Sequence, residues 1–441
     1  MTKIEFSTKL YKKYFSGNVV ADLFGSIIFS FTFLILFIAR PFRLTPGTFF
    51  STWLALLAIQ TTTIINEFMF RIKGADGGDS EKFFILASKV AQSDGFYFNQ
   101  KEILYSQIIG NIFKVFGTSR FLGSELSVLA FILSCYVILK ILKILDLQKY
   151  AAPVILIYGL HPSGIIIKSV MLRESFQVLF FMVTVYWGLR FCREFNLKHL
   201  FFCGVSAIFM SLFHFALGII ALLVFILFIA FAVFFGIKEK PFILKTLLPG
   251  LLTLFMGVVL AAQFSPTLLK QLGGISYIFT KDPITIITKF RNASIKKSGV
   301  ATYTVQNIDP NSSSNLITSL ARAVIHYFYY PAPWDIKRSL DLYGFLETAW
   351  RGLLLALALI SLFQEKGPNK KYLLLLFSIY ILNSLLWALG TTNFGTAIRH
   401  HLVGHWLLVI LAAPLLANLI DTGRKYAHPS APPLTLDKGT S

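Results

Sequence analysis

Apolar residues in this chain come in long unbroken runs, not at every second position. Such runs occur at residues 22–38, 49–65, 122–139, 151–167, 170–189, 199–213, 217–235, 247–262, 346–363, 373–389 and 402–420. Each is close to the length a helix needs to cross a hydrocarbon layer of about 30 Å. The alternation that marks a membrane barrel strand is absent. The pattern predicts an all-α fold, a polytopic transmembrane helix bundle with about ten to twelve spans.

Two shorter stretches differ. Residues 80–93 read as an amphipathic helix with Phe83, Phe84, Ala87, Val90 and Ala91 on one face. Residues 103–116 are apolar but short and broken by Lys114, which suits a helix lying at the membrane interface. Both fall in a first outer loop, 71–121. A second outer loop, 263–340, carries an aromatic cluster at His326–Tyr330. Loops of that length usually have work to do. Residues 1–420 thus form a single transmembrane domain. Residues 421–441, with Pro429, Pro432 and Pro433, read as a disordered cytoplasmic tail. No internal repeat is visible.

Composition agrees: of 441 residues, 55% are hydrophobic and 14% charged. The net charge of +20 comes from lysines and arginines clustered in short loops between runs, where they set orientation. They form no single stripe and join no recognition module, which argues against nucleic acid as a partner. Cys135, Cys192 and Cys203 lie in or beside apolar runs without metal-ligand spacing. The N-terminus has Lys9, Lys12 and Lys13 before the first run and no small-residue cleavage site after it, so it reads as an uncleaved anchor.

Clusters at Lys140/Lys143/Lys149, Arg190/Arg193/Lys198, Lys238/Lys240/Lys245, Lys366/Lys370/Lys371 and Arg424/Lys425 fall on every second loop. The alternate loops then face outward from an inner (plasma) membrane, and they hold the chemistry-bearing residues. Parity puts Arg40 and Arg43 inside but leaves the Lys-rich N-terminus outside, against the rule.

The acidic stretch Gly74-Ala-Asp-Gly-Gly-Asp-Ser-Glu81 stands out in this basic chain. Asp76 and Asp79 are candidate catalytic carboxylates, able to take a proton from an acceptor hydroxyl; the bland alternative is a solvated turn. Asp79 is favoured because it adjoins the start of the amphipathic helix, where negative charge is stabilised. Lys168, Arg173 and Glu174 mark the outer ends of two runs. His161-Pro162 kinks the first of these. His214 interrupts two runs, as a hydrogen-bonding group or a packed histidine. Arg399-His400-His401 precedes the last run on the side where orientation gives no reason for positive charge, which suits phosphate binding. Arg322, Trp334 and Arg338 in the second outer loop are candidate substrate contacts, or interface anchors. Asp76 and Asp79 lack DxD spacing, so the sequence assigns no metal ligand, and a divalent cation is left open.

The layout resembles the GT-C superfamily of integral-membrane glycosyltransferases, in its protein-mannosyltransferase-like and aminoarabinose-transferase-like branches. The residues carrying the resemblance are Asp79-Ser80 with Phe83 and Ala87, Tyr105 to Gly117, Arg120 to Leu139, His161-Pro162 to Arg173-Glu174, and Gly395 to His400. The chain departs in having two runs before the acidic loop where the family has one. The resemblance implies a polyprenyl-phosphate-linked sugar as donor and a glycan, lipid or protein hydroxyl as acceptor. It implies Asp79 as base, and Arg399 with His400 and Lys168 or Arg173 holding the lipid phosphate. A surface-polysaccharide polymerase or ligase, and a transporter of lipid-linked sugars without chemistry, are the alternatives.

Overall fold

The computed structural model describes residues 19–70, 78–95, 104–236, Arg291 and 313–427, with backbone alone at Phe215, 313–317, Phe394 and 417–427. The described residues form helices α1 (Val19–Ile38), α2 (Pro46–Ile64), α3 (Asp79–Ala91), α4 (Leu104–Phe116), α5 (Arg120–Ile144), α6 (Ala151–Gly159), α7 (Pro162–Lys168), α8 (Glu174–Glu194), α9 (Leu197–Phe213), α10 (Phe215–Gly236), α11 (Ser313–Tyr329), α12 (Ser339–Gln364), α13 (Lys370–Gly390) and α14 (Phe394–Ala427). No strand occurs among them, so the protein is an all-α polytopic bundle.

Eight helices among the described residues are long and apolar enough to cross a membrane, and a ninth span arises if the α6–α7 pair counts as one. α9, at 17 residues, falls just short. The run at 247–262 and Asp76 lie outside the described residues. Lipid-facing apolar side chains such as Phe31, Phe202 and Leu353 are exposed, as expected where the solvent is hydrocarbon.

The helix ends sort into two groups. Arg193 pairs with Asp146 at 2.8 Å and Asn369 donates to the Leu145 carbonyl at 2.9 Å, so the Lys- and Arg-rich ends of α5, α8 and α13 meet. Asp79, Glu174 and Arg399 meet at the other end. Asp22, near the start of α1, accepts from Ser119, which caps α5. The first run is therefore a helix of the bundle, long and apolar enough to span, and it starts at the Arg399 end.

Polar residues inside helices explain where window hydropathy misplaced boundaries. α12 starts at Ser339, not near 346, because Asp341 accepts from the Lys337 and Arg338 backbone at 3.2 and 3.0 Å and caps it. Glu347 and Arg351 are thus buried within the helix. α14 starts at Phe394, not 402, because Asn393 Oδ1 accepts from the Thr396 N–H at 2.6 Å. Arg399, His400 and His401 consequently lie inside it. At its far end α14 continues to Ala427, past residue 421 where the tail was expected to begin.

α3 and α4 form a hairpin packed on the bundle. Gly110 permits it: a Cβ there would sit 2.5 Å from the Val90 Cβ. Phe83, Ala87 and Val90 form its buried face, and Phe83 packs edge-on to Tyr105 at 5.1 Å. This packing fixes the start of α3, and with it Asp79.

Candidate functional site

Asp79 and Glu174 are each the first residue of a helix, α3 and α8, where the helix dipole favours a carboxylate. Gly78, at φ +78°, supplies the left-handed turn that lets α3 begin there. Both carboxylates converge on Arg399 in the second turn of α14. Arg399 Nη1 donates to Asp79 Oδ2 at 2.7 Å, Nε donates to Glu174 Oε1 at 3.0 Å, and Nη2 donates to the same oxygen. Arg399 and Asp79 are 320 residues apart in sequence.

The two carboxylates are not equivalent. Glu174 is 5% exposed as a side chain and Asp79 35%. Glu174 is the fixed counter-ion. Asp79 has one oxygen pinned by Arg399 while the other, Oδ1, makes no hydrogen bond among the described residues. An oriented carboxylate with a free, partly exposed oxygen has the geometry a general base requires.

Arg173, by contrast, forms no salt bridge among the described residues, although its charge acts on Glu174 together with that of Arg399. Its Nη1 reaches the Phe213 carbonyl only at 3.5 Å, and its Nε is buried without a partner. Its guanidinium lies 5.6 Å from the Phe83 ring centre. Two histidines lie within its electrostatic reach and that of Arg399. His214 Nδ1 accepts from the Ala216 N–H at 3.1 Å, so its hydrogen sits on Nε2. His400 Nδ1 lies 2.8 Å from Thr391 Oγ1, whose own hydrogen goes to the Trp387 carbonyl. His400 therefore donates from Nδ1, and its Nε2 is a bare acceptor. Its ring stacks on Trp387 at 3.7 Å and meets His214 at 6.2 Å.

No protein-family model, curated protein or solved structure matches the chain. Function therefore rests on the arrangement of these side chains alone.

His214 sits at the turn between α9 and α10. Burial first, then the positive charges of Arg173 and Arg399, push it down to about 3. A neutral, half-buried imidazole stabilises the fold above its unfolded pKa of about 6.5, and that contribution is lost as pH falls toward the folded value. His214→Gln is thus expected to reduce the loss of thermal stability between pH 6.5 and 4, read as unfolding midpoints at each pH. An unchanged slope would remove His214 as the source.

The other anticipated residues lie apart from this group. Lys168 is buried, donates to the Tyr158 carbonyl at 3.1 Å, and is covered by the Tyr158 and Phe131 rings at 3.8 and 4.7 Å. Arg338 is engaged by Asp341 at 2.9 Å. Trp334, at 82% exposed, projects from a short turn, and Arg322 is exposed on α11. Neither is seen in contact with Arg399 or Asp79. Among the described residues no three His, Cys, Asp or Glu side chains are grouped to hold a metal ion.

A second polar cluster lies at the broken span. The α6–α7 pair bends by 71° at its break, and His161 caps α7 there by accepting the Gly164 N–H at Nδ1. Its Nε2–H points at Glu347 Oε2, 2.8 Å away, and Glu347 Oε1 accepts from the Ser163 N–H at 3.1 Å. His405 lies against His161 at 4.1 Å. It is six residues, or roughly 9 Å of helix, below Arg399. This cluster ties the broken span to α12 and α14. The His-Pro pair signalled the break, but nothing local signalled a partner 184 residues away.

Proposed function

We propose that the protein is a glycosyltransferase that moves a sugar from a polyprenyl-phosphate carrier to an acceptor hydroxyl at the extracytoplasmic membrane face. The observation carrying this reading is the contact of Asp79 with Arg399 beside an Arg173 that forms no salt bridge among the described residues. Such a site offers a base and an anion receptor side by side.

In this reading Asp79 Oδ1 accepts the proton of the acceptor hydroxyl as that oxygen attacks the anomeric carbon. The glycosidic C–O bond to the phosphate breaks, and the electron pair leaves on the phosphate oxygen. Arg173 and the His214 Nε2–H are the groups able to meet that growing charge. Donors aimed at a leaving group in a water-poor site are worth far more than in bulk water. Arg399 is already neutralised by two carboxylates, so it orients Asp79 and offers less to the phosphate. That shifts the anion-binding role expected of Arg399 toward Arg173, its neighbour across Glu174.

The test is a reconstituted assay. Proteoliposomes carrying a polyprenyl-phosphate-linked sugar and a membrane extract as acceptor source should release free polyprenyl phosphate and form a glycosylated product. Movement of the intact lipid-linked sugar across the bilayer without product would instead favour the transporter reading.

A further inference from the structure

A cleft of about 620 Å³ opens between α10 and α13 at the end of the bundle opposite Arg399. Its walls are apolar, with Leu227, Phe231, Phe235 and Leu375 among them, and Lys370 and Lys371 stand at its mouth. α13 separates this mouth from Thr391, the partner of His400, by its full length of 21 residues. That is about 30 Å at helical rise, the thickness of a hydrocarbon layer. The cleft and the Arg399 site thus sit at opposite membrane faces.

Neither lysine forms a salt bridge among the described residues; the nearby carboxylates of Asp146 and Glu365 are taken by Arg193 and Asn369 and by the Gly367 N–H. Lys371 Nζ instead lies over the rings of Tyr372 and Phe235 at 5.4 and 5.8 Å. Two ammonium groups without a salt-bridge partner among the described residues therefore stand at the mouth of an apolar slot. From Lys371 to Ser378 the slot follows α13 for about 10 Å into the membrane. Phe234 and Leu374, on its rim, are exposed. A filling molecule must therefore be negative at one end, hydrocarbon at the other, and present in the bilayer.

We infer that this cleft binds an anionic glycerophospholipid, its head-group phosphate between Lys370 and Lys371 and an acyl chain along Phe231 and Leu375. Basic pockets between spans recognise acidic head groups in this way. A zwitterionic lipid fits less well, because its cationic end would meet two lysines. The inference is independent of the reaction proposed above.

The full chain, purified in a neutral detergent, is heated with added phosphatidylglycerol, phosphatidylcholine, polyprenyl phosphate or inorganic phosphate. Phosphatidylglycerol is expected to raise the unfolding midpoint by at least about 3 °C, as a ligand well above its Kd should. The K370Q/K371Q variant should lose most of that rise, and native mass spectrometry should find it retaining fewer phosphatidylglycerol molecules than wild type. The single K371Q substitution, at a half-exposed position, serves where the double variant expresses poorly. Three results would overturn the inference. One is an equal rise in the variants. Another is an equal rise with phosphatidylcholine. The third is a larger rise with polyprenyl phosphate or inorganic phosphate.

Discussion

Asp79→Asn is expected to reduce sugar transfer by at least about 100-fold, the low end of what a positioned base contributes. Donor binding should persist in the same variant. The amide keeps the shape of the side chain and an oxygen for Arg399 Nη1, but it cannot take a proton at Oδ1. Glu174 continues to neutralise Arg399, so the second turn of α14 stays in place. Release of polyprenyl phosphate, followed alongside donor binding, separates the two effects. Wild-type turnover in this variant would remove Asp79 as the base and leave its contact with Arg399 a structural tie.

Glu347→Ala should have the largest effect on folding, costing on the order of 2–5 kcal/mol, because two buried donors each lose their acceptor. Glu347 is 6% exposed, and it is the acceptor for both the His161 Nε2–H and the Ser163 N–H. Without it, the first turn of α7 keeps two buried donors with nothing to receive them, in surroundings with little water. The bend between α6 and α7 then loses its tie to α12. Glu347→Gln retains an oxygen for Ser163 and should cost less than Ala. Thermal unfolding midpoints and the yield of monodisperse protein measure both. An Ala variant as stable as wild type would mean the cluster is hydrated or dispensable.

The sequence carried the spans well because crossing a bilayer demands a single visible property, a continuous apolar run. It also carried α3 and α4. Their amphipathic faces and the break at Lys114 mark helices that cover the bundle without crossing it. It failed at the starts of α12 and α14 for one physical reason. Hydropathy counts Glu347, Arg351 and Arg399 as costs, whereas in the fold each is satisfied by a partner from another helix. Arg351, for example, donates to the Phe328 carbonyl at 2.7 Å. Orientation parity gathered Asp79, Arg173, Glu174, His214 and Arg399 on one face, and the structure brings these five to one end of the bundle. Parity could not say who pairs with whom. That Arg399 is bonded by two carboxylates while Arg173 forms no salt bridge among the described residues depends on contacts across hundreds of residues. Lys168 shows the converse limit: it shares the face, yet it is covered by Tyr158 and Phe131.

The most direct test of the site is polyprenyl phosphate binding to the purified protein in nanodiscs, comparing wild type, Arg173→Gln and Asp79→Asn. If Arg173 receives the phosphate beside an Asp79 that serves as base, Arg173→Gln should weaken binding about tenfold or more, the worth of a lost charged hydrogen bond. Asp79→Asn should bind at least as well as wild type, since a neighbouring negative charge has been removed. Equal binding by wild type and Arg173→Gln, with loss in Asp79→Asn, would contradict this assignment of roles.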